Sequence, residues 1–381
     1  MHKICFIIPY FGKNFPDYFD YFIKSAKWNP TIDFLIFTDI NYFCEEPNIT
    51  FEKFSLKDFN LLATDKLEMT ISIDEPYKLC DFKPAYGKIF EDYLSDYEFW
   101  GHCDIDLIFG NIRNFMNEKV LNNYDVISSR KEYLSGFFTL YRNNNEINNL
   151  FKKSKDWVMI FKEKENFCFD ECNFQFYNLF LGKNLFELES EIESMTHVVY
   201  KNNIRTHLKT ICHEFLWGKE FLDVLNVDKN GLFSVKTMDE FLLVHLIKFK
   251  KQSHVIYFPI SDNSDKIIVN RYTLCNYDEE NEIYKEKLLQ KKVTLKKEEF
   301  SISKDEEERI YLNNIYADSV ELEDWHKIYQ YFEDSEITGN EIIEAYQNSD
   351  LINYFSREHL KHNIFIAISD GLLYFECLKV I

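Results

Sequence analysis

Two aspartates, Asp104 and Asp106, stand one residue apart directly after the apolar run Phe99-Trp100-Gly101-His102-Cys103. Carboxylates spaced i, i+2 just past a strand can share a divalent cation, one binding directly and the other through water or a ligand hydroxyl. A solvated acidic turn has the same local sequence, so the spacing by itself leaves both readings open. The apolar run argues for the first, because it brings the pair out of a core rather than to a loop tip. His102 precedes the pair by two residues, points to the opposite strand face from Cys103, and reads as structural.

Positioning such a pair requires a strand that ends at a ligand-collecting edge, and the preceding sequence supplies it. Ile4 to Ile8 reads as a buried strand ending at Pro9, and Pro16 sits where a helix can begin. The spacing of Tyr18, Phe19, Phe22, Ile23 and Ala26 gives that helix an apolar face. Strands are expected at 33–38 and 49–54. Next comes a helix at 83–94 whose Ala85, Ile89, Phe90 and Tyr93 face the sheet, and then a strand at 98–103. Further strands are expected at 125–128 and 137–141, helical segments around Trp157 and at 173–181, an apolar run at 241–249 and an edge strand at 255–260. Alternating strands and helices specify an α/β layer fold with a mainly parallel sheet, whose ligands gather at the carboxyl ends of the strands.

A chain of 381 residues exceeds what one core usually organises. The composition shifts to alternating charged clusters at 276–308, which reads as a connector between a domain at 1–275 and a small unit at 309–381. Three helices at 323–332, 340–347 and 356–367 followed by a strand at 371–375 give that unit an α+β, winged-helix-like reading. The formal net charge of −20 excludes a general nucleic-acid binder, because phosphate contacts need a positive footprint. An anionic ligand must then be held locally, which a bound cation does efficiently. Nine cysteines without a C-x-x-C pair read as reduced core thiols. No apolar stretch reaches the roughly 18 residues of a membrane span, so no transmembrane segment and a cytoplasmic location are expected, peripheral attachment at the inner face of a membrane remaining open. The 37 Phe and 24 Tyr, with many Asn, Lys and Ile, read first as codon bias, so no single aromatic is informative alone.

An ordered set of segments resembles the GT-A glycosyltransferases, and more closely a bacterial family of unassigned function encoded with capsule and lipopolysaccharide genes. The set is Ile8-Pro9-Tyr10-Phe11-Gly12, Thr38-Asp39, Cys80-Asp81-Phe82-Lys83-Pro84-Ala85-Tyr86-Gly87, Trp100 to Asp106, and Gly136-Phe137-Phe138-Thr139-Leu140-Tyr141-Arg142. The resemblance covers residues 3–260 and implies a GT-A, Rossmann-like nucleotide-sugar-binding domain. It further implies a metal-dependent hexosyltransferase-like enzyme using Mn2+ or Mg2+, with a UDP-sugar as donor, a saccharide or lipid-linked saccharide as acceptor, and a place in surface polysaccharide or oligosaccharide synthesis.

The same resemblance distributes roles. Tyr10 and Phe11 would floor the nucleobase pocket, with core packing as the alternative, and Asp39 would accept a base or ribose hydrogen bond. Asp81 and Lys83 would reach the nucleotide, the alternatives being a helix N-cap and a solvated helix residue. His245 is similar to a late metal-binding histidine, with Lys248 neutralising a diphosphate oxygen, against a core histidine. Asp170-Glu171 resembles an acceptor-side acidic pair that takes the hydroxyl proton, against ordinary helix-start acidity. Gly136 would let the sugar approach the backbone or simply make a turn, and Arg130 would meet phosphate or sugar or remain a surface charge. Two rival functions stay open. One is a non-catalytic nucleotide-sugar-binding scaffold; the other is a D-x-D phosphotransferase, which places its pair after the first core strand rather than after several.

Overall fold

The structure is a computed structural model. It describes all residues except 215–223, 248, 252–255, 261–263, 271–272, 277, 316, 323, 334, 348–356, 374–376 and 381. The chain divides into two compact units, the first comprising Met1–Glu214, Val227–Phe233 and Met238–Leu246, the second Phe215–Asn226, Ser234–Thr237 and Ile247–Ile381.

The first unit is mixed α/β, built on a large sheet rich in parallel pairs. Strands β1 (Ile4–Pro9), β2 (Ile32–Thr38), β3 (Ile49–Lys53) and β4 (Phe99–Cys103) follow one another through crossovers, with helix α1 (Phe19–Lys27) in the first and helix α2 (Leu56–Leu67) after β3. After β5 (Leu107–Phe109) come β6 (Val126–Ser128), β7 (Phe138–Arg142), β8 (Thr206–Leu208) and β9 (Cys212–Glu214). Seven of these form one sheet in the order β3-β2-β1-β4-β7-β6-β8. β1 pairs in parallel with both β2 and β4, whereas β7 runs antiparallel to β4 and β6.

Both faces of the sheet are covered, as near-continuous apolar strands require. Cys5, Ile7 and Trp100 join a core that contains Phe59 and Ala63 of α2 together with Phe82, Ala85 and Ile89. Ile4, Phe6, Ile8 and Phe99 point the other way, onto Phe19, Phe22, Ile23 and Ala26 of α1. That is the apolar face read from the sequence, since side chains alternate across a strand and recur every three or four residues along a helix.

Three expectations are corrected. Residues 83–94 form no single helix: Lys83–Ala85 is a 3-10 turn, Tyr86–Ile89 one α turn and Glu91–Tyr93 a second 3-10 turn. Pro84 lacks the N–H that a continuous ladder needs, and although Ala85, Ile89 and Phe90 are buried as expected, Tyr93 is 40% exposed. Helix α2 was not anticipated, yet Ser55 and Asp58 form a reciprocal capping box at its start.

The third correction concerns the second unit. Residues 276–308 carry a helix, Asp278–Gln290, and two strands, Lys292–Leu295 and Phe300–Lys304. Leu288, Leu289, Val293, Leu295 and Phe300 are buried in one core with Ile328, Tyr329, Ile364 and Ile368, so this span is part of the unit rather than a charged connector. Charge at its outer positions hid an alternating inner face. The helices expected at 340–347 and 356–367 are present as Gly339–Gln347 and Arg357–Leu373, but beside them the unit has a three-stranded meander, Phe300–Lys304, Ile310–Asn314 and Ala317–Leu322, and a second sheet in which Lys292–Leu295 pairs with Ile337–Thr338 and Leu378–Val380. Asp324–Phe332 is a 3-10 helix, and Arg357–Leu373 runs through Gly371-Leu372-Leu373, expected as strand. Residues 374–375 of that expectation lie outside the described residues, as does Val255 of the edge strand, of which Ile256–Tyr257 pairs with Thr273–Cys275. Among the described residues no helix is long and apolar enough to cross a membrane.

Candidate active site

β4 lies near the middle of the sheet with all five residues buried. Gly101 is required there, because a Cβ would meet the Phe6 ring at 2.6 Å and the Thr139 carbonyl at 2.8 Å. The chain leaves the sheet at Asp104, whose N–H donates to the Phe137 carbonyl at 3.0 Å. It then enters β5, which pairs antiparallel with the strand Leu243–His245, so that His245 stands opposite Leu107. The Leu246 N–H donates to the Asp106 carbonyl at 2.9 Å and closes the corner. This register brings His245 Nε2 to 3.3 Å from Asp106 Oδ2, with the imidazole 4.2 Å from the Phe137 ring.

Asp104, Asp106 and His245 each offer one ligand atom, and these atoms lie within 4.8 Å of one another. The donor set fits a divalent cation: carboxylate oxygens suit a hard ion, and Mn2+ accepts an imidazole nitrogen more readily than Mg2+ does. Asp106 and His245 are buried, whereas the Asp104 side chain is 38% exposed and forms the open side of the corner.

Lys83 spans the gap from this corner to a second acidic group. Its ammonium donates to Asp104 Oδ1 at 2.6 Å and to the Gly136 carbonyl at 2.8 Å, and it lies 3.8 Å from Asp170 Oδ2. Burial opposes its charge, but the Asp104 and Asp170 carboxylates outweigh burial and hold its proton well above the ordinary lysine range. Across from it, burial pushes the Asp170 carboxyl well above the usual aspartate range, with Lys83 opposing and the Glu171 charge adding to the rise. Burial also raises Glu171, although the Gly136 N–H and Lys83 pull it back.

Gly136 joins the two groups through its backbone. Its N–H donates to Glu171 Oε1 at 2.7 Å while its carbonyl accepts from Lys83. A Cβ at this position would fall well inside contact distance of the Asp170 carboxylate, so the close approach that demands glycine is that of the protein's own acid pair.

The loop carrying Asp170 and Glu171 is held from below by Asp81. That carboxylate, 0% exposed, accepts the N–H groups of Phe167 at 3.0 Å and Phe169 at 2.9 Å, and pairs with Lys78 Nζ at 2.8 Å. Thr196 Oγ1 donates to the Glu171 carbonyl at 2.5 Å, and the Met195 N–H to the Phe169 carbonyl at 2.8 Å. Three residues of this short segment, Cys168, Asn173 and Phe174, hold φ of 53°, 50° and 60°, a strained conformation that such a net of bonds can sustain.

The structure therefore gathers Asp104, Asp106, His245, Lys83, Gly136, Asp170 and Glu171. Asp81 is turned inward onto backbone, which corrects the expectation that it reaches a ligand: its oxygens are already bonded. Phe11 is in the core at 8% exposure, and Tyr10 stacks on Phe15 at 5.3 Å with its N–H on the Phe37 carbonyl. Asp39 is exposed just past β2, and the Arg130 guanidinium lies 5.8 Å from the Tyr133 ring centroid. Lys248 lies outside the described residues. His102 is fully enclosed on the Trp100 face of β4, and burial keeps its imidazole neutral. The roles of Lys78 and Thr196 were not read from the sequence, where neither has a local signal.

Among solved structures, the galactosyltransferase LgtC in complex with donor and acceptor sugar analogs is similar at 15% identity, with a TM-score of 0.25, over 42% of this chain and 64% of that one. An active-site mutant of LgtC gives 12% identity and a TM-score of 0.27 over 45% and 70%. The present chain thus spans less than two thirds of the first of these. No curated protein matches the sequence. Residues 6–275 match the model of the Family of unknown function (DUF6625), and the chain belongs to that family.

Proposed function

We propose that this chain is a metal-dependent glycosyltransferase of the GT-A type, which moves a sugar from a nucleotide-sugar donor, a UDP-sugar, to a saccharide or lipid-linked saccharide acceptor. The observation that carries the reading is the meeting of Asp104 and Asp106, delivered by the end of a central strand, with His245, delivered by a strand almost 140 residues later. Facing them across Gly136 stand a buried ammonium and a carboxyl pair. An arrangement that can hold a cation and an acid–base group side by side matches what glycosyl transfer requires.

A divalent cation, Mn2+ or Mg2+, held by Asp104, Asp106 and His245 would supply positive charge to the departing nucleoside diphosphate. Lys83 adds a second, fixed positive charge at the same edge and keeps Asp104 oriented through its 2.6 Å bond. Asp170 and Glu171 supply the proton acceptor for the attacking hydroxyl, and their raised proton affinity makes each a stronger base than an ordinary carboxylate once ionised. The catalytic body is assigned to the first unit, which holds all of these residues, acting in the cytoplasm in the assembly of bacterial surface polysaccharide or oligosaccharide.

The test is a panel of nucleotide sugars assayed for nucleotide release with and without Mn2+. Release that needs both the metal and one donor is expected. Nucleotide binding with no release across the panel, with saccharide acceptors present, would instead make the chain a non-catalytic binder.

A further inference from the structure

The segment that follows the acid pair turns large aromatic side chains out into solvent. Phe174 is 56% exposed, Tyr177 73% and Phe180 72%. These are not remnants of an incomplete core, because the inner face of the same segment is already packed: Cys172, Leu179 and Leu185 are buried around Tyr133. Nor is the segment loose. Gln175 Nε2 donates to the Glu189 carbonyl at 2.9 Å, Asn178 Nδ2 to Gln175 Oε1 at 2.8 Å, and Asn173 Oδ1 accepts the Glu191 N–H at 2.9 Å. Phe174 holds φ of 60°, a region that a bulky side chain rarely occupies. The chain accepts backbone strain and still presents that ring to water.

The rings continue directly from the candidate active site. Phe174 is three residues beyond Glu171 and meets the Phe176 ring at 6.4 Å, which meets the Tyr133 ring at 5.3 Å. The Glu171 charge is felt at the Tyr133 hydroxyl, whose proton is held above the usual range chiefly by burial. The charge of the surface selects its occupant. From Cys172 to Glu191 the chain carries one cation, Lys183, against Glu187, Glu189 and Glu191, and Lys183 is bonded to Asn178 Oδ1 at 2.9 Å. Anionic lipid headgroups and nucleic acids need the opposite balance. A neutral polyhydroxylated chain matches it: C–H faces of sugar rings lie on aromatic faces, whose π-systems are negative, and hydroxyls bond to amides and carboxylates.

We propose that the exposed aromatic surface around Phe174, Tyr177 and Phe180 seats a neutral saccharide chain, guiding its end to Asp170 and Glu171. The assignment rests on the transferase reading for its purpose, but not for its test. The full chain is titrated with short neutral oligosaccharides built of glucose, galactose and N-acetylglucosamine, followed by saturation-transfer NMR. In parallel, UDP with Mn2+ is titrated by calorimetry. Tyr177→Ala with Phe180→Ala, and separately Phe174→Ala, are expected to weaken oligosaccharide binding about tenfold or more, with unchanged melting temperature and UDP affinity. Absence of oligosaccharide binding, or binding equal in the variants, overturns the proposal. So does aromatic-dependent binding to phosphatidylglycerol vesicles, or a loss of self-association in the variants, either of which assigns the surface to another occupant. Failure of UDP to bind while the oligosaccharide result holds would sink the donor-site reading and leave this surface assigned.

Discussion

The two halves of the candidate active site are built by opposite means. The candidate metal corner is placed by regular backbone: β4 ends, β5 begins, and a ladder of sheet hydrogen bonds sets His245 beside Asp106. The acid pair is placed by a strained loop whose shape depends on one buried carboxylate, Asp81, and a threonine hydroxyl. A site hung on sheet register loses chemistry when a ligand atom is removed but keeps its frame. One hung on a buried side chain loses its frame when that side chain is altered.

The largest effect is expected from Asp106→Asn, which should abolish Mn2+-dependent nucleotide binding in a calorimetric titration while the chain stays folded. His245→Ala should also weaken Mn2+ binding, by about tenfold or more, with only a small loss of metal-free melting temperature. A large destabilisation with unchanged metal affinity would make His245 a core residue and erase the contrast. Gly136→Ala acts on the junction of the halves: its Cβ must displace Asp170, so transfer should fall by about a hundredfold with metal affinity little changed. Equal activity in that variant would show that the loop can yield.

On the loop side, Asp81→Asn should cost stability rather than metal affinity. Lys78 would be left buried without its charge partner, a loss of about 3–5 kcal/mol, read by denaturant titration, with Mn2+ binding kept. The smallest effect is a pH slope. Because Asp170 binds its proton more tightly in the folded chain than in the unfolded one, the native state carries more protons above the ordinary aspartate range. Stability of the metal-free protein therefore falls as pH rises through that window. Asp170→Asn should flatten the slope, and an unchanged slope would place the carboxyl in a wetter setting.

The same contrast decides what was legible in the sequence. The strands at 4–9, 32–38 and 99–103 show as largely apolar runs bounded by Pro9, Asp39 and Asp104, because a sheet buried on both faces writes its burial into consecutive residues. The pair at the end of β4 was visible for that reason. His245 was visible only as a late histidine in an apolar run; its pairing with β5 is a matter of topology. Nothing local tells that the carboxylate of Asp81 meets amides more than 80 residues on, so a residue with the pattern of a ligand is a buried strut. Pro84 marks the break in the helix, and Ser55 with Asp58 marks the start of α2, although the apolar periodicity of Ala85, Ile89 and Phe90 by itself points to a continuous helix. In the second unit, charge on outward positions masked strands whose inner residues are few.

The strand Leu243–His245 also sets an order of assembly. The seven strands of the large sheet can pair once residue 208 has been made, since all of them precede that point. β5, however, waits for a partner that follows it by some 134 residues, at Leu243 opposite Phe109. A nascent chain that has grown past β8 but not to His245 thus owns a sheet and an aspartate pair without the ladder that fixes them. So distant a closure forms late, because loop entropy must be met before the contact repays it. Completion of the Asp104, Asp106 and His245 corner then belongs to the last stage of folding on the ribosome, and chains stalled before residue 243 should resist proteolysis in the sheet while leaving residues 104–109 open to cleavage.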